Sequence, residues 1–69
     1  MQRFDVMLAN GTGPYCYHAP EALDVRVGDT VIVPGSYWNN TPQRASVIKL
    51  GSDYQGGTTE IVRVLKHAA

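Results

Sequence analysis

An all-β fold of barrel type is predicted by three features of this chain. Short runs alternate apolar with polar residues, breaks rich in glycine and proline separate them, and no apolar pattern of helical spacing is long enough for a helix. A sheet this small must curl on itself to enclose a core.

The elements follow in order. From Gln2 to Ala9, Phe4, Val6 and Leu8 alternate with Arg3 and Asp5, Met7 being the exception, which is the period of a half-buried strand. Asn10-Gly11-Thr12-Gly13-Pro14 then supplies two glycines that tolerate positive φ and a proline that ends a ladder, so the chain reverses or changes sheet. Tyr15 to His18 is a short strand with both tyrosines on one face. Ala19 to Leu23 is a loop or a single helical turn, since Pro20 and the shortness of the segment exclude more.

Leu23 to Pro34 carries the clearest local signal. Apolar residues alternate into the Gly28-Asp29 turn, and the β-branched strand Thr30-Val31-Ile32-Val33 ends at Pro34. The stretch Gly35 to Gln43, with its glycine, serine, asparagines and proline, is a loop bearing Tyr37 and Trp38. Ala45 to Leu50 is a strand, Gly51 to Thr58 a glycine-rich loop, and Thr59 to Lys66 a last strand. In that strand Ile61 and Leu65 face one way and Val62 and Val64 the other, as in a strand covered on both sides.

Five short strands without a long helix or a repeat predict a small SH3-like barrel. An OB-like barrel is the alternative, although it usually has longer strands and often a helix between the third and fourth. The expected domain is residues 1–66, with 67–69 as a frayed tail.

Composition limits the function. Six lysines and arginines balance six aspartates and glutamates, so the strong overall electrostatic drive of a non-specific nucleic-acid binder is missing, while a local patch remains open. The single Cys16 excludes an internal disulfide. No stretch reaches the ~18 apolar residues of a membrane helix and no signal-peptide pattern opens the chain, so the expected setting is reducing and cytoplasmic, with no membrane partner. An unstapled domain of 69 residues draws only ~3–5 kcal/mol from its core, which favours self-association or a protein partner.

Catalysis has little support, and the chain is expected not to be an enzyme. Ser36, Ser46 and Ser52 lack a nucleophile motif, and Cys16 and His18, two apart on a strand, sit about 7 Å from each other, beyond hydrogen-bond reach. Cys16, His18 and His67 are too few for a structural zinc site, and Asp24, Asp29 and Asp53 lack the spacing of a calcium loop. Asp29 reads as a turn residue. Gly11 with Gly13, and Gly56 with Gly57, lack the features of phosphate loops, so no cofactor is expected.

Aromatic and basic residues are the functional lead. Tyr15, Tyr17, Tyr37, Trp38 and Tyr54 fall on short strands or loops, and a small barrel brings Arg44, Lys49 and Arg63 close to them. A base stacked on such a ring contributes ~1–3 kcal/mol, and a guanidinium beside it neutralises a phosphate. Tyr15 and Tyr17 have a competing role as core filler, whereas the loop setting of Tyr37 and Trp38 favours exposure. Arg63, Lys66 and His67 form a weak basic cluster.

Two segments resemble a known family. Tyr15-Cys16-Tyr17-His18-Ala19-Pro20 stands where an aromatic-Asp-Tyr strand ending in proline would stand. Leu23-Asp24-Val25-Arg26-Val27-Gly28-Asp29-Thr30-Val31-Ile32-Val33-Pro34 resembles the run that follows it, and Arg44 to Ile48 looks like the next strand. Together, over roughly Val6 to Leu50, they resemble the N-terminal DNA-binding barrel of the primosomal replication-restart helicase, which recognises the 3′ end of a DNA strand. They are also similar to stand-alone small barrels of phage and mobile elements. Cys16 takes the place of the family's acidic residue and Pro34-Gly35-Ser36 that of its Pro-Phe-Gly, so the resemblance supports the fold more than 3′-end recognition. It implies a non-enzymatic module that binds single-stranded nucleic acid through Tyr15, Tyr17, Tyr37, Trp38, Arg44, Lys49 and Arg63. The alternative is a protein-interaction or homo-oligomeric assembly module.

Overall fold

The computed structural model describes residues 1–35 and 41–68, and these contain no helix. Six strands form one sheet: β1 (Gln2–Leu8), β2 (Tyr15–Ala19), β3 (Thr30–Val33), β4 (Gln43–Leu50), β5 (Thr59–Glu60) and β6 (Arg63–Lys66). Their order is β5-β2-β1-β4-β3-β6. The β2–β5 pair is parallel and every other pair antiparallel.

The last expected strand is in fact two. β5 pairs with β2 at one edge of the sheet, and β6 with β3 at the other. Between them the chain changes partner in a single step: the Ile61 amide donates to the His18 carbonyl at 3.0 Å, and the Val62 amide to the Ile32 carbonyl at 2.8 Å. A curled sheet brings its edges together, and a segment crossing from one to the other cannot keep one ladder. The sheet is thereby curled into a half-barrel, with Ile61 buried at the crossing. Val62 points outward and is 56% exposed, so the segment is not covered on both faces as its pattern predicts.

The alternation before the Gly28-Asp29 turn also yields no strand. The Leu23 amide donates to the Pro20 carbonyl and the Val25 amide to the Leu23 carbonyl, which coils the segment, and only Val25 of its apolar residues is buried. The turn itself forms as predicted. The Asp29 amide donates to the Arg26 carbonyl at 3.0 Å, and Gly28 takes φ +95°, a conformation side-chain-bearing residues avoid. The turn docks on β4 through Gly28 N–H to Val47 C=O and Val47 N–H to Asp29 C=O, both 2.9 Å.

The core is built from the inward positions of β1, β3 and β4: Phe4 and Val6, Val31 and Val33, Ala45 and Val47, joined by Ala19, Val25 and Ile61. Residues directly opposite each other across antiparallel strands share a face. Val6 therefore meets Val47, and Val31 meets Ala45, on the inside. One polar side chain, Asp29, lies among the buried described residues, and every buried side-chain polar atom among them has a hydrogen-bond partner.

Asp29 is more than a turn residue. Its Oδ2 accepts from the Arg26 amide at 2.9 Å and lies 3.0 Å from His67 Nδ1, while its Oδ1 accepts from the Ala68 amide at 2.7 Å. Two residues of the tail expected to fray are thus tied to the turn at 26–29. Ala69 lies outside the described residues.

Candidate nucleic-acid interface

The register of β4, β3 and β6 builds the surface that most resembles the expected site. Arg44 on β4 and Arg63 on β6 both stand opposite Ile32 on the central β3, so one row across the sheet reads Arg44, Ile32, Arg63. The neighbouring row reads Ser46, Thr30, Lys66. Because Val31, Val33, Ala45 and Val47 point into the core, these alternate positions point out. A shift in the β3–β6 register between Thr30 and Val31 brings Lys66, rather than Leu65, opposite Thr30.

The remaining cations are engaged elsewhere. Arg3 donates to the Tyr54 carbonyl at 2.9 Å. Arg26 pairs with Asp24 at 3.0 Å, and Lys49 with Asp53 at 2.9 Å. Each of these two cations is held more firmly protonated by its carboxylate, first through the hydrogen bond and then through its charge. Arg44, Arg63 and Lys66 have no ion pair among the described residues. Of the four described Lys and Arg side chains without an ion pair, three, Arg44, Arg63 and Lys66, therefore share the outer face of β4-β3-β6, and the fourth, Arg3, lies on β1.

The predicted site residues divide between surfaces. Arg44 and Arg63 lie together on the outer face of β4-β3-β6. Tyr15 and Tyr17 stand opposite Val6 and Phe4 on the other face of the sheet, at β2. Tyr17 is half-buried and packs on the core, and Tyr15 is 47% exposed. Burial raises the pKa of the Tyr17 phenol, and the neighbouring Tyr15 phenol adds to the effect. Lys49 stands opposite Asp5, on the face of the sheet away from Tyr15 and Tyr17, and is bound to Asp53, so it is engaged at the β1 end of that face and not beside Arg44. Tyr37 and Trp38 lie outside the described residues; the segment containing them joins β3 to β4 between Val33 and Gln43, which pair with each other next to the Ile32–Arg44 pair.

Sequence reasoning noted Lys66 only in a weak cluster with Arg63 and His67. The sheet separates that cluster, sending Lys66 outward and His67 to Asp29. The signal for Lys66 was its place three residues after Arg63, but only the bulge in the ladder puts both on one face.

Cys16 and His18 alternate with the tyrosines and lie on the face that carries Arg3 and Asp5. His18 Nδ1 is 2.6 Å from Thr58 Oγ1, and the half-buried Cys16 Sγ is 3.9 Å from the Tyr17 carbonyl. Among the described residues no group of three or more His, Cys, Asp or Glu side chains is placed to hold a metal ion, and no helix is long and apolar enough to cross a membrane.

Fold and surface together define a small all-β domain of barrel-like curvature with Arg44, Arg63 and Lys66 grouped on its outer face. No family model, curated protein or solved structure matches this chain.

Proposed function

We propose that this chain is a non-enzymatic, cytoplasmic binding module of the SH3-like small-barrel type that holds single-stranded nucleic acid on the outer face of β4-β3-β6. The observation that carries the reading is the row Arg44–Ile32–Arg63 with Lys66 beside it, the only described cationic side chains left without a carboxylate or carbonyl partner. Guanidinium groups bridge phosphate oxygens, and the half-buried Ile32 between them offers a limited apolar contact to a sugar or base. Tyr37 and Trp38, which lie in sequence between β3 and β4, are the stacking candidates. The connection 34–42 between β3 and β4 leaves little room for the helix an OB-like barrel often carries, which supports the SH3-like type. The resemblance to the DNA-binding barrel of the replication-restart helicase points to the same ligand class.

The test is binding of a dT oligomer of about 12 nucleotides across a salt series. Three phosphate contacts give a slope of log K against log salt near −2, and the variant Arg44→Ala/Arg63→Ala/Lys66→Ala abolishes most of it. Equal binding and an equal slope in that variant would remove the reading.

A further inference from the structure

The outer face of β4-β3-β6 is a shallow trough. Ile32 and Thr30, on the central strand, are half-buried, whereas Arg44 and Ser46 on one side and Arg63 and Lys66 on the other are exposed. The low centre follows from side-chain length, since an isoleucine and a threonine stand between longer arginines and a lysine. Two strand spacings put Arg44 and Arg63 about 10 Å apart across Ile32, so both guanidinium groups reach a group seated over it.

Charge is graded along this trough. The row Arg44–Ile32–Arg63 offers two cations. The row Ser46–Thr30–Lys66, about 7 Å further along β3 and β4, offers one cation and two hydroxyls. No aspartate or glutamate stands in either row, and the pair beyond the first is the uncharged Val33 and Gln43. The trough is therefore two anion positions long, doubly positive at one end and singly positive at the other.

That grading selects a part of the strand. Inside a nucleic acid every phosphate is a diester with one negative charge. A phosphate at a strand's end is a monoester, with close to two charges and three free oxygens at neutral pH, and the phosphate after it is a diester. Two forked guanidinium groups match the monoester, and Lys66 with the two hydroxyls matches the diester. The step between the rows is close to that between successive phosphates of a single strand. The two phosphates of a nucleoside diphosphate share an oxygen and stand too close together to use both rows.

We propose that this trough takes the end of a nucleic-acid strand that carries a terminal phosphomonoester, with the monoester between Arg44 and Arg63 and the next phosphate at Lys66. The inference rests on the nucleic-acid reading of this face and names the part of the strand it prefers.

The test is calorimetric titration with three dT oligomers of about six nucleotides, one with hydroxyl ends, one with a 5′-phosphate and one with a 3′-phosphate. The expected result at about pH 8 is roughly tenfold tighter binding when the phosphate is at one end, which also fixes the direction of the strand. Arg44→Gln/Arg63→Gln removes the gain, and Lys66→Gln weakens all three oligomers while leaving their ratio. The gain shrinks at about pH 5, where the monoester loses its second charge. Equal binding of the three oligomers by the native chain overturns the inference and leaves the nucleic-acid reading standing. Equal gains at the two ends, or a gain that survives Arg44→Gln/Arg63→Gln, would mark a general attraction to added charge and overturn it too. So would thymidine 5′-monophosphate binding as tightly as the best oligomer, since the second row would then be unused. Failure of all three oligomers to bind removes the nucleic-acid reading and this inference with it.

Discussion

The buried carboxylate of Asp29 accepts the backbone amide of Ala68 at 2.7 Å, joining a turn near the middle of the chain to the segment after its last strand. The same carboxylate holds the Arg26 amide of its own turn at 2.9 Å. One side chain thus satisfies two backbone donors separated by more than half the sequence.

Asp29→Ala leaves both amides without that acceptor, at ~1–3 kcal/mol for each donor that stays buried. The expected loss is about 2–4 kcal/mol, lowering Tm by roughly 10 °C or more in a domain of this size. Thermal unfolding followed by circular dichroism checks it. A chain ending at Lys66 should lose part of the same stability, and combining the two changes should cost less than their sum. Strict additivity would show that the turn and the tail are not coupled through Asp29.

The clasp gives stability a pH dependence of defined sign. Burial by itself pushes the Asp29 carboxyl up, but the Ala68 amide, the Arg26 amide and His67 outweigh it and hold the group below its ordinary value of 3.8. A carboxylate depressed in the folded state contributes fully above its unfolded pKa, and that contribution is lost as pH falls through the folded value. Urea midpoints should therefore drop below about pH 4 in the native chain and drop less in Asp29→Asn. Parallel curves for the two would contradict the assignment.

Gly28→Ala meets two obstacles at once. The residue holds φ +95°, and a Cβ there stands 3.1 Å from the Ala68 Cβ. A cost of about 1–3 kcal/mol is expected from the backbone conformation alone. Denaturant unfolding reads it, and a variant as stable as the native chain would show that the turn adopts another geometry.

Stacking and phosphate contact separate experimentally on the proposed interface. Trp38→Ala should weaken oligo-dT binding by ~1–3 kcal/mol while leaving the salt slope unchanged. Lys49→Ala should change neither, because that ammonium is bound to Asp53 and lies apart from Arg44 and Arg63. A slope lowered by Lys49→Ala would extend the nucleic-acid path along β4 towards Asp5 and Asp53.

Much of the fold is legible in single segments. Phe4 and Val6 alternating with Arg3 and Asp5, the β-branched run Val31-Ile32-Val33 before Pro34, and the glycine before Asp29 each express a local rule: period-two burial, a proline stop, a positive-φ turn. The all-β class and the positions of the first four strands follow from such rules, because side-chain alternation and turn chemistry depend on neighbours a few residues away.

Other features depend on which strands become neighbours, and tertiary structure alone decides them. Thr59 to Lys66 reads as one strand until the curled sheet presents two edges to it, and the chain then divides its hydrogen bonds between β2 and β3. The charges are balanced and scattered along the sequence, yet ladder register places Arg44 and Arg63 on either side of Ile32 and sends Lys49 to Asp53. Asp29 reads as a turn former, and it becomes a clasp because Ala68 returns to it across 39 residues. Local pattern determined what each segment forms; long-range pairing, set by the joint burial of Phe4, Val31, Val47 and Ile61, determined which charges and rings share a surface.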